Sequence, residues 1–291
     1  MKKSSEAIQT TYLSMLSSAG LAILKAVVGV TGNSYAMIAD AIESLTDIFA
    51  SIIVLIGLKV ASKPADKGHP YGHGKAEALA TFAVAAIMIV SATLIGSQSI
   101  ENINTPHDLP KSFTLYVLGA IIIFKELSFQ YVNRKSKQAN SSALKADAWH
   151  HRSDAITSLS AFIGISIALI LGKGYETADD WAALLASGVI FYNSYLILKP
   201  ALGEIMDEHH YDDMIALIRK KAKEVNGILD TEKCLVRKTG MQYYVDLHIT
   251  VNAFISVKDG HEIAHRLKDH LIAELPEIAD VLIHVEPEEE K

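Results

Sequence analysis

Three carboxylates inside an otherwise apolar segment constrain this chain more than any other feature. Asp40, Glu43 and Asp47 lie within the apolar stretch 35–60. Their spacing of three and four residues brings all three to one face of a helix. Ionisable groups are costly to bury in hydrocarbon, and they usually mark a functional site with a partner. The segment therefore predicts a membrane-spanning helix that carries a polar site.

A second octet repeats the pattern of the first. Residues 40–47 read Asp-Ala-Ile-Glu-Ser-Leu-Thr-Asp, and residues 147–154 read Asp-Ala-Trp-His-His-Arg-Ser-Asp. Both start with Asp-Ala, carry a ligand-type residue at the fourth position and end with Asp. Because each octet adjoins a long apolar run, we expect two spans to share a four-coordinate site for a divalent cation such as zinc or ferrous iron. The expected ligands are Glu43, Asp47, His150 and Asp154.

The alternative for these octets is structural. Polar residues can join helices without binding an ion, but burying several carboxylates and an imidazole then requires compensating positive charge. A divalent ion or shared protons would supply that charge.

The composition divides the chain into a membrane part and a soluble part. The 291 residues are 50% hydrophobic and 21% charged, with a mean hydropathy of +0.23. The chain is therefore too apolar for an ordinary soluble domain and too charged to lie in the membrane throughout. A net charge of −6 gives no reason to propose nucleic-acid binding. The single cysteine, Cys234, excludes an intramolecular disulfide.

Six apolar runs have the length of roughly 20 residues that a bilayer demands of a helix. They predict an all-α transmembrane domain over residues 1–206. Lys125 and Glu126 interrupt the fourth run, so they must face a neighbouring helix or snorkel. The runs are about 12–30, 35–60, 76–100, 113–132, 155–171 (entered from about 143) and 181–202.

The distribution of basic residues predicts the orientation of these spans. Lysines and arginines concentrate in the N-terminal segment and in the connections after the second and fourth spans, so both termini are predicted to be cytoplasmic. The second and fifth spans are then antiparallel, with Asp47 level with His150 and Glu43 level with Asp154. Asp40 and Asp147 would flank the site as relay or vestibule groups.

The segment 207–291 predicts a cytoplasmic α+β domain of order αββαβ, with helices on one face of a small sheet. Amphipathic periodicity indicates the helices, and alternation of apolar and polar residues indicates the strands. The predicted elements are helix 212–225, strands 233–239 and 242–251, helix 257–275 and strand 280–285.

Two further groups of residues offer metal ligands. Asp66, His69 and His73 occupy the glycine-rich loop between the second and third spans, where they either bind a metal ion or only face water. The predicted tail domain carries a second group, whose members bind a regulatory metal only if the fold brings them together. This group is His248, His261, His284 and Glu286.

One motif indicates a different class of protein. His261-Glu262-Ile263-Ala264-His265 matches the His-Glu-x-x-His helix of zinc proteases, so the alternative function is a membrane-anchored zinc metallopeptidase. The motif lies in a tail of about 80 residues without an evident catalytic subdomain, and short motifs often match by chance. We therefore favour a protein that is not an enzyme.

Over nearly its whole length the chain resembles the cation diffusion facilitator family, and within it the bacterial branch that exports zinc and ferrous iron. The resemblance rests on the six spans, Glu43-x-x-x-Asp47, His150-x-x-x-Asp154, the histidine loop at 69–77 and the αββαβ tail. Glu43 and Glu286 stand where that branch usually has Asp.

The resemblance implies a homodimer in the bacterial inner membrane that exports zinc, or iron, manganese, cobalt or cadmium, in exchange for protons. It implies no prosthetic group: the metal is the substrate, with a regulatory or structural metal in a ferredoxin- or metallochaperone-like tail. A tail position often held by histidine falls at Glu232, which puts a complete binuclear site in question.

Overall fold

The computed structural model describes residues 2–31, 35–104, 114–172, 175, 177–208 and 211–288. Within these ranges the backbone alone is described for 2–4, 25, 28–31, 35–47, 114, 157, 161, 168 and 179. The chain divides into two compact units, one up to Leu202 and one from Gly203 onward.

The first unit is built of long helices at the predicted positions. Five helices in the described part of the chain are long and apolar enough to cross a membrane, and in α2 the apolar helix with described side chains is the shorter segment Ile48–Ala61. The sixth span therefore stays a prediction for the first half of α2. The helices are α1 (Lys2–Thr31), α2 (Tyr35–Ala61), α3 (Lys75–Asn104), α4 (Thr114–Ala139), α5 (Ser142–Leu171) and α6 (Ala178–Ile205).

Small residues face the inside of this unit, while large apolar residues face outward. On α3, Ala78 and Ala85 are fully buried, whereas Leu79 and Leu94 are more than half exposed. Water would penalise such an apolar exterior, but lipid does not, and small residues let membrane helices approach closely. This distribution agrees with an integral membrane domain.

Close contacts set the directions of three helices. Gly57 on α2 lies against Ala80 and the carbonyl of Ala76 on α3, so that α2 and α3 form an antiparallel hairpin about the connecting loop. Glu77, at the start of α3, accepts a hydrogen bond from the backbone N–H of Ala143 at the start of α5 (3.3 Å). Helices α3 and α5 therefore begin side by side, and α2 runs antiparallel to α5, as predicted.

The second unit is a three-stranded sheet with two helices. Strands β1 and β2 pair antiparallel and β2 and β3 pair parallel, in the order β1-β2-β3. The predicted order αββαβ is confirmed, although β1 starts earlier than predicted because its pairing with β2 continues beyond a bulge near Glu232. The elements are α7 (Asp212–Ala222), β1 (Asp230–Thr239), β2 (Gln242–Val251), α8 (Val257–Glu274) and β3 (Ile278–Pro287).

A single apolar core joins the helices of this unit to the sheet. Leu247 and Ile249 of β2 point into it together with Leu267 and Leu271 of α8 and Ile218 of α7. The spacing of four between the leucines of α8 gives that helix one apolar face. Ser256 caps α8 through a reciprocal capping box with Asp259, which fixes where the helix begins.

Candidate metal centres

The octet on α5 turns its ligand-type residues into the helical unit. His150 is 5% exposed and His151 is 1% exposed, while Asp154 is half-buried. Imidazole and carboxylate groups at such depth require polar partners or an ion. The described partners differ from one residue to the next.

Asp154 forms an ion pair with Lys125 of α4. The distance from Lys125 Nζ to Asp154 Oδ2 is 2.8 Å, and Lys125 is 1% exposed. The sequence indicates only that a lysine in the fourth span faces a neighbouring helix or snorkels, without naming a partner. The contact could have been predicted by assuming that each charge inside a span pairs with an opposite charge in another span.

Asp147 joins three helices. Its Oδ1 accepts a hydrogen bond from Ser51 Oγ on α2 (3.0 Å), and its Oδ2 accepts one from Ser14 Oγ on α1 (2.9 Å). Asp147 is fully buried. It therefore does not line a water-filled vestibule, which is one of the two roles expected for it. Ser14 Oγ also lies 2.7 Å from His151 Nε2. Because the serine hydroxyl donates its only hydrogen to Asp147, the histidine donates from Nε2 to the serine oxygen.

The remaining ligands predicted for the membrane site lie on α2. The helix includes positions 40, 43 and 47, but the side chains of Asp40, Glu43 and Asp47 lie outside the described residues. The sharing of one ion by these residues and α5 stays a prediction.

The loop between α2 and α3 brings together Asp66, His69 and His73, whose potential ligand atoms lie within 4.8 Å of one another. Asp66 Oδ1 accepts hydrogen bonds from the backbone N–H groups of Gly68 (2.8 Å) and His69 (2.7 Å), and Asp66 Oδ2 lies 3.5 Å from His73 Nε2. The backbone hydrogen bond from His69 holds the pKa of Asp66 below its usual value. The loop therefore presents an ionised carboxylate beside two imidazoles.

Strand register assembles a second cluster in the tail unit. His248 on β2 and His284 on β3 are register partners, and Glu286 follows His284 by two residues, so all three side chains share one face of the sheet. His248 Nδ1 lies 2.6 Å from Glu286 Oε1, and His284 Nε2 lies 3.6 Å from the same oxygen. The hydrogen bond from His248 lowers the pKa of Glu286, and a side-chain hydrogen bond with Glu232 from the bulge in β1 lowers it further.

His261 does not join this cluster within one chain. Its ring lies 4.4 Å from that of His265, centroid to centroid, on α8. Among the described residues, no third ligand atom completes a metal group around this pair. Glu262 is exposed and lies 3.9 Å from Lys258. Within the described part of the chain, this pair lacks the third ligand that a catalytic zinc site requires, which disfavours the metallopeptidase.

Two family models match this chain. The cation efflux transmembrane domain matches residues 11–206, and the cytoplasmic domain of cation efflux proteins matches residues 211–288. The first matched segment covers most of the helical unit, and the second covers most of the αββαβ unit.

Curated relatives extend over most of the chain. The manganese efflux system protein MneP of Bacillus subtilis is 28% identical over 89% of this chain and 89% of its own length. Metal tolerance protein 2 of Oryza sativa is 32% identical over 91% of this chain and 74% of its own length. An uncharacterized transporter of Methanocaldococcus jannaschii is 30% identical over 94% and 96% of the two chains. The chain belongs to the cation diffusion facilitator family of cation efflux transporters.

Proposed function

We propose that this cation efflux transporter moves a divalent metal ion, zinc in the first place, in exchange for protons. The transported ion would bind between α2 and α5, at Glu43, Asp47, His150 and Asp154. Two helices that run in opposite directions would thus each contribute two ligands.

The hydrogen bond between Ser51 and Asp147 carries this proposal. It sets the two residues at the same depth in antiparallel helices. A four-residue step along either helix covers about 6 Å, since each residue rises about 1.5 Å. One such step from Ser51 leads to position 47, and the matching step on α5 leads to His150 and His151. The next step leads to position 43 on α2 and to Asp154 on α5, which supports the pairing predicted from the sequence.

The ligand types connect metal binding to protons. Carboxylates and imidazoles bind a metal through lone pairs that protons also use, so metal and protons compete for one site. A site open to the neutral cytoplasm would bind the ion, and a site open to a more acidic exterior would take up protons and release it. Direct competition of this kind needs no separate proton pathway.

The identity of the cargo follows from the donor set. One imidazole with three carboxylates suits zinc and ferrous iron, and carboxylate-rich sites also accept manganese, cobalt and cadmium. The similarity to a manganese efflux system protein keeps manganese among the candidates. Glu43, with one more methylene than Asp, would change the size of the cavity and with it the preference among these ions.

The loop and tail clusters would bind additional ions. Asp66, His69 and His73 would hold one ion at the membrane surface, and His248, His284 and Glu286 would hold a regulatory ion in the tail, whose domain we place at 207–291. His261 stays a predicted ligand of that tail site. A cytoplasmic tail that binds metal in a homodimer of the inner membrane would then bias the transport equilibrium of both copies.

Transport in liposomes tests the proposal. Purified chain in vesicles containing a pH-sensitive dye is expected to show proton flux that depends on added zinc, and Asp154→Ala is expected to abolish it. Glu126→Ala on α4 is the matched control, because the carboxylate of Glu126 accepts a hydrogen bond from Gln130, one turn further along its own helix (3.1 Å). Near-wild-type flux in a folded Asp154→Ala variant would overturn the proposal, and zinc flux without proton counterflow would indicate a channel.

A further inference from the structure

We propose that Lys125 is an intramolecular counter-ion of the transport site, which holds Asp154 when the site is empty and leaves it when a metal ion binds. The inference rests on the proposed function, since it takes Asp154 as a ligand of the transported ion. Lys125 belongs to α4, a helix that contributes no ligand to the predicted site.

The position of Lys125 requires a partner such as Asp154. Its ammonium group lies 2.8 Å from Asp154 Oδ2, and its side chain is among the largest fully buried ones in the described residues. Removing a charged group from water is costly unless an opposite charge and hydrogen bonds compensate it. The pair therefore combines two otherwise unfavourable burials into one contact.

The same contact opposes metal binding at Asp154. A carboxylate oxygen that coordinates a dication would place the ammonium group a few ångström from that dication if Lys125 stayed where it is. Like charges at such distances repel strongly in a protein interior. The ion must therefore displace Lys125 Nζ, and the flexible four-carbon stem of lysine allows the ammonium group to move away.

The return of Lys125 to Asp154 also balances the charge of the site after the metal ion has left. A departing dication leaves the carboxylates of α2 and α5 uncompensated, and Lys125 returns one positive charge to them from within the protein. This charge is always present at high local concentration, because the lysine is tethered beside the site. Release of the metal is thereby favoured, at the expense of affinity.

A purely structural salt bridge between α4 and α5 is the competing explanation. These two helices are already joined by other contacts: the guanidinium of Arg152 on α5 lies 4.5 Å from the ring centroid of Phe129 on α4, and Phe129 packs edge-on against Trp149. Lys125 is therefore not the only contact that holds α4 against α5. Its burial beside a predicted metal ligand is accounted for by the counter-ion role.

Zinc binding to the full-length chain in detergent tests the inference by calorimetry at about pH 8. Each variant is compared with the same variant carrying Asp154→Ala, so that the difference reports the transport site alone. Lys125→Met removes the competing charge and is expected to tighten zinc binding by about tenfold and to slow zinc release in liposomes. Lys125→Arg holds the carboxylate with two parallel N–H groups and is expected to weaken binding by about tenfold.

Lys59→Met is the matched control, since Lys59 on α2 donates a hydrogen bond to Tyr12 (2.6 Å) and does not contact the site's described ligands. It is expected to bind zinc with wild-type affinity. The opposite signs for Met and Arg separate competition from a structural role, which would move both variants in the same direction.

Wild-type zinc affinity in both Lys125 variants, or weaker binding in Lys125→Met, overturns the inference. If Lys125→Met does not fold, Lys125→Arg decides alone, and an unchanged affinity there overturns the inference. These results are distinct from failure of the proposed function, which would appear as absence of zinc-dependent proton flux in the wild-type chain.

Discussion

Ser51 on α2 donates a hydrogen bond of 3.0 Å to Asp147 on α5, and both side chains are almost fully buried. The other oxygen of the same carboxylate accepts a hydrogen bond from Ser14 on α1. One aspartate thus fixes the relative depth of three helices. Because the proposed ligands lie one and two helical turns away from this contact, their mutual positions depend on it.

Replacement of Ser51 is therefore expected to lower both stability and transport. Ser51→Ala leaves Asp147 Oδ1 buried without this donor, and an unsatisfied buried polar group costs about 1–3 kcal/mol. Ser194→Ala is the matched control, because that serine is equally buried but bonds to the carbonyl of Ile190 in its own helix (2.7 Å). Thermal unfolding in detergent is expected to show a lower Tm for Ser51→Ala than for Ser194→Ala. Equal Tm values would show that the contact does not hold the helices in register.

The close approach of α2 and α3 makes Gly57 intolerant of a side chain. A Cβ at Gly57 would collide with Ala80 Cβ and lie 3.2 Å from the carbonyl oxygen of Ala76. Such overpacking costs about 1–3 kcal/mol. Gly57→Ala is expected to lower Tm, whereas Gly119→Ala on α4, where a Cβ meets nothing within 4 Å, is expected to leave it unchanged or raise it. A Gly57→Ala variant as stable as Gly119→Ala would contradict this packing of α2 against α3.

The loop cluster allows charge and shape to be separated at Asp66. Asp66→Asn keeps an oxygen that accepts the backbone N–H groups of Gly68 and His69 but removes the negative charge. We expect it to preserve the turn and to reduce the number of zinc ions bound per chain by about one, as counted by equilibrium dialysis and elemental analysis, since the carboxylate is the anionic ligand of this cluster. Asp66→Ala is expected to lose the turn as well, which raises protease sensitivity of the loop. Unchanged stoichiometry in Asp66→Asn would exclude a metal site in this loop.

Metal binding by the tail cluster can be tested in the same way. His284→Ala is expected to weaken zinc binding by the tail of the full-length chain by about tenfold or more, because it removes one of three neutral or anionic donors. His270→Ala is the control, since His270 lies near Glu224 (3.3 Å) rather than in the cluster. Calorimetry on chains that carry Asp154→Ala and Asp66→Asn isolates the tail site. Equal affinities for the two histidine variants would remove the tail from the metal-binding residues.

Acidic pH is expected to weaken the tail through Glu286. Its pKa is lowered in the folded chain, first by the hydrogen bond from His248, so the ionised carboxylate stabilises the fold above the ordinary pKa of 4.5. That contribution is lost as the pH falls through the lowered pKa. Urea unfolding of the full-length chain, followed by the exposure of Cys234, its single cysteine, to a thiol reagent that reacts at acidic pH, is expected to show a larger loss in wild type than in Glu286→Gln. Identical pH profiles below pH 5 would contradict this assignment.

Alkaline pH is expected to weaken the same unit through two neutral groups, the buried thiol of Cys234 and the half-buried phenol of Tyr211. Burial raises the pKa of Cys234 from 9.0 to about 11, and burial together with nearby Glu204 raises the pKa of Tyr211 from 10.0 to about 12. A raised pKa favours the neutral form in the folded chain, so stability is complete below pH 9 and falls as the pH rises toward 11 and 12. Cys234→Ser is expected to remove the part of this loss between pH 9 and 11. Thiol labelling at pH 8 is expected to be slow until the tail unfolds.

Much of the fold could be predicted because its signals are local. Apolar runs long enough for a bilayer mark the helices of the first unit, and the change from helical to alternating periodicity marks the strands of the second. The histidines of the loop cluster are only four residues apart, so their proximity needs little more than a turn. Boundaries were less predictable: β1 starts earlier than its alternating pattern indicates, since pairing with β2 continues beyond the bulge near Glu232.

The amino-acid sequence by itself determined which residues carry charge into apolar spans, and hence which residues are predicted to form a cation site. Only the tertiary structure decided how those charges are matched: Lys125 with Asp154, two serines with Asp147, and His248 rather than His261 with Glu286. These partners are far apart in the chain, and helix packing and strand register bring them together. A local pattern identifies a buried charge, but its partner depends on which faces of distant elements meet, because the cost of burial is removed by contact in space.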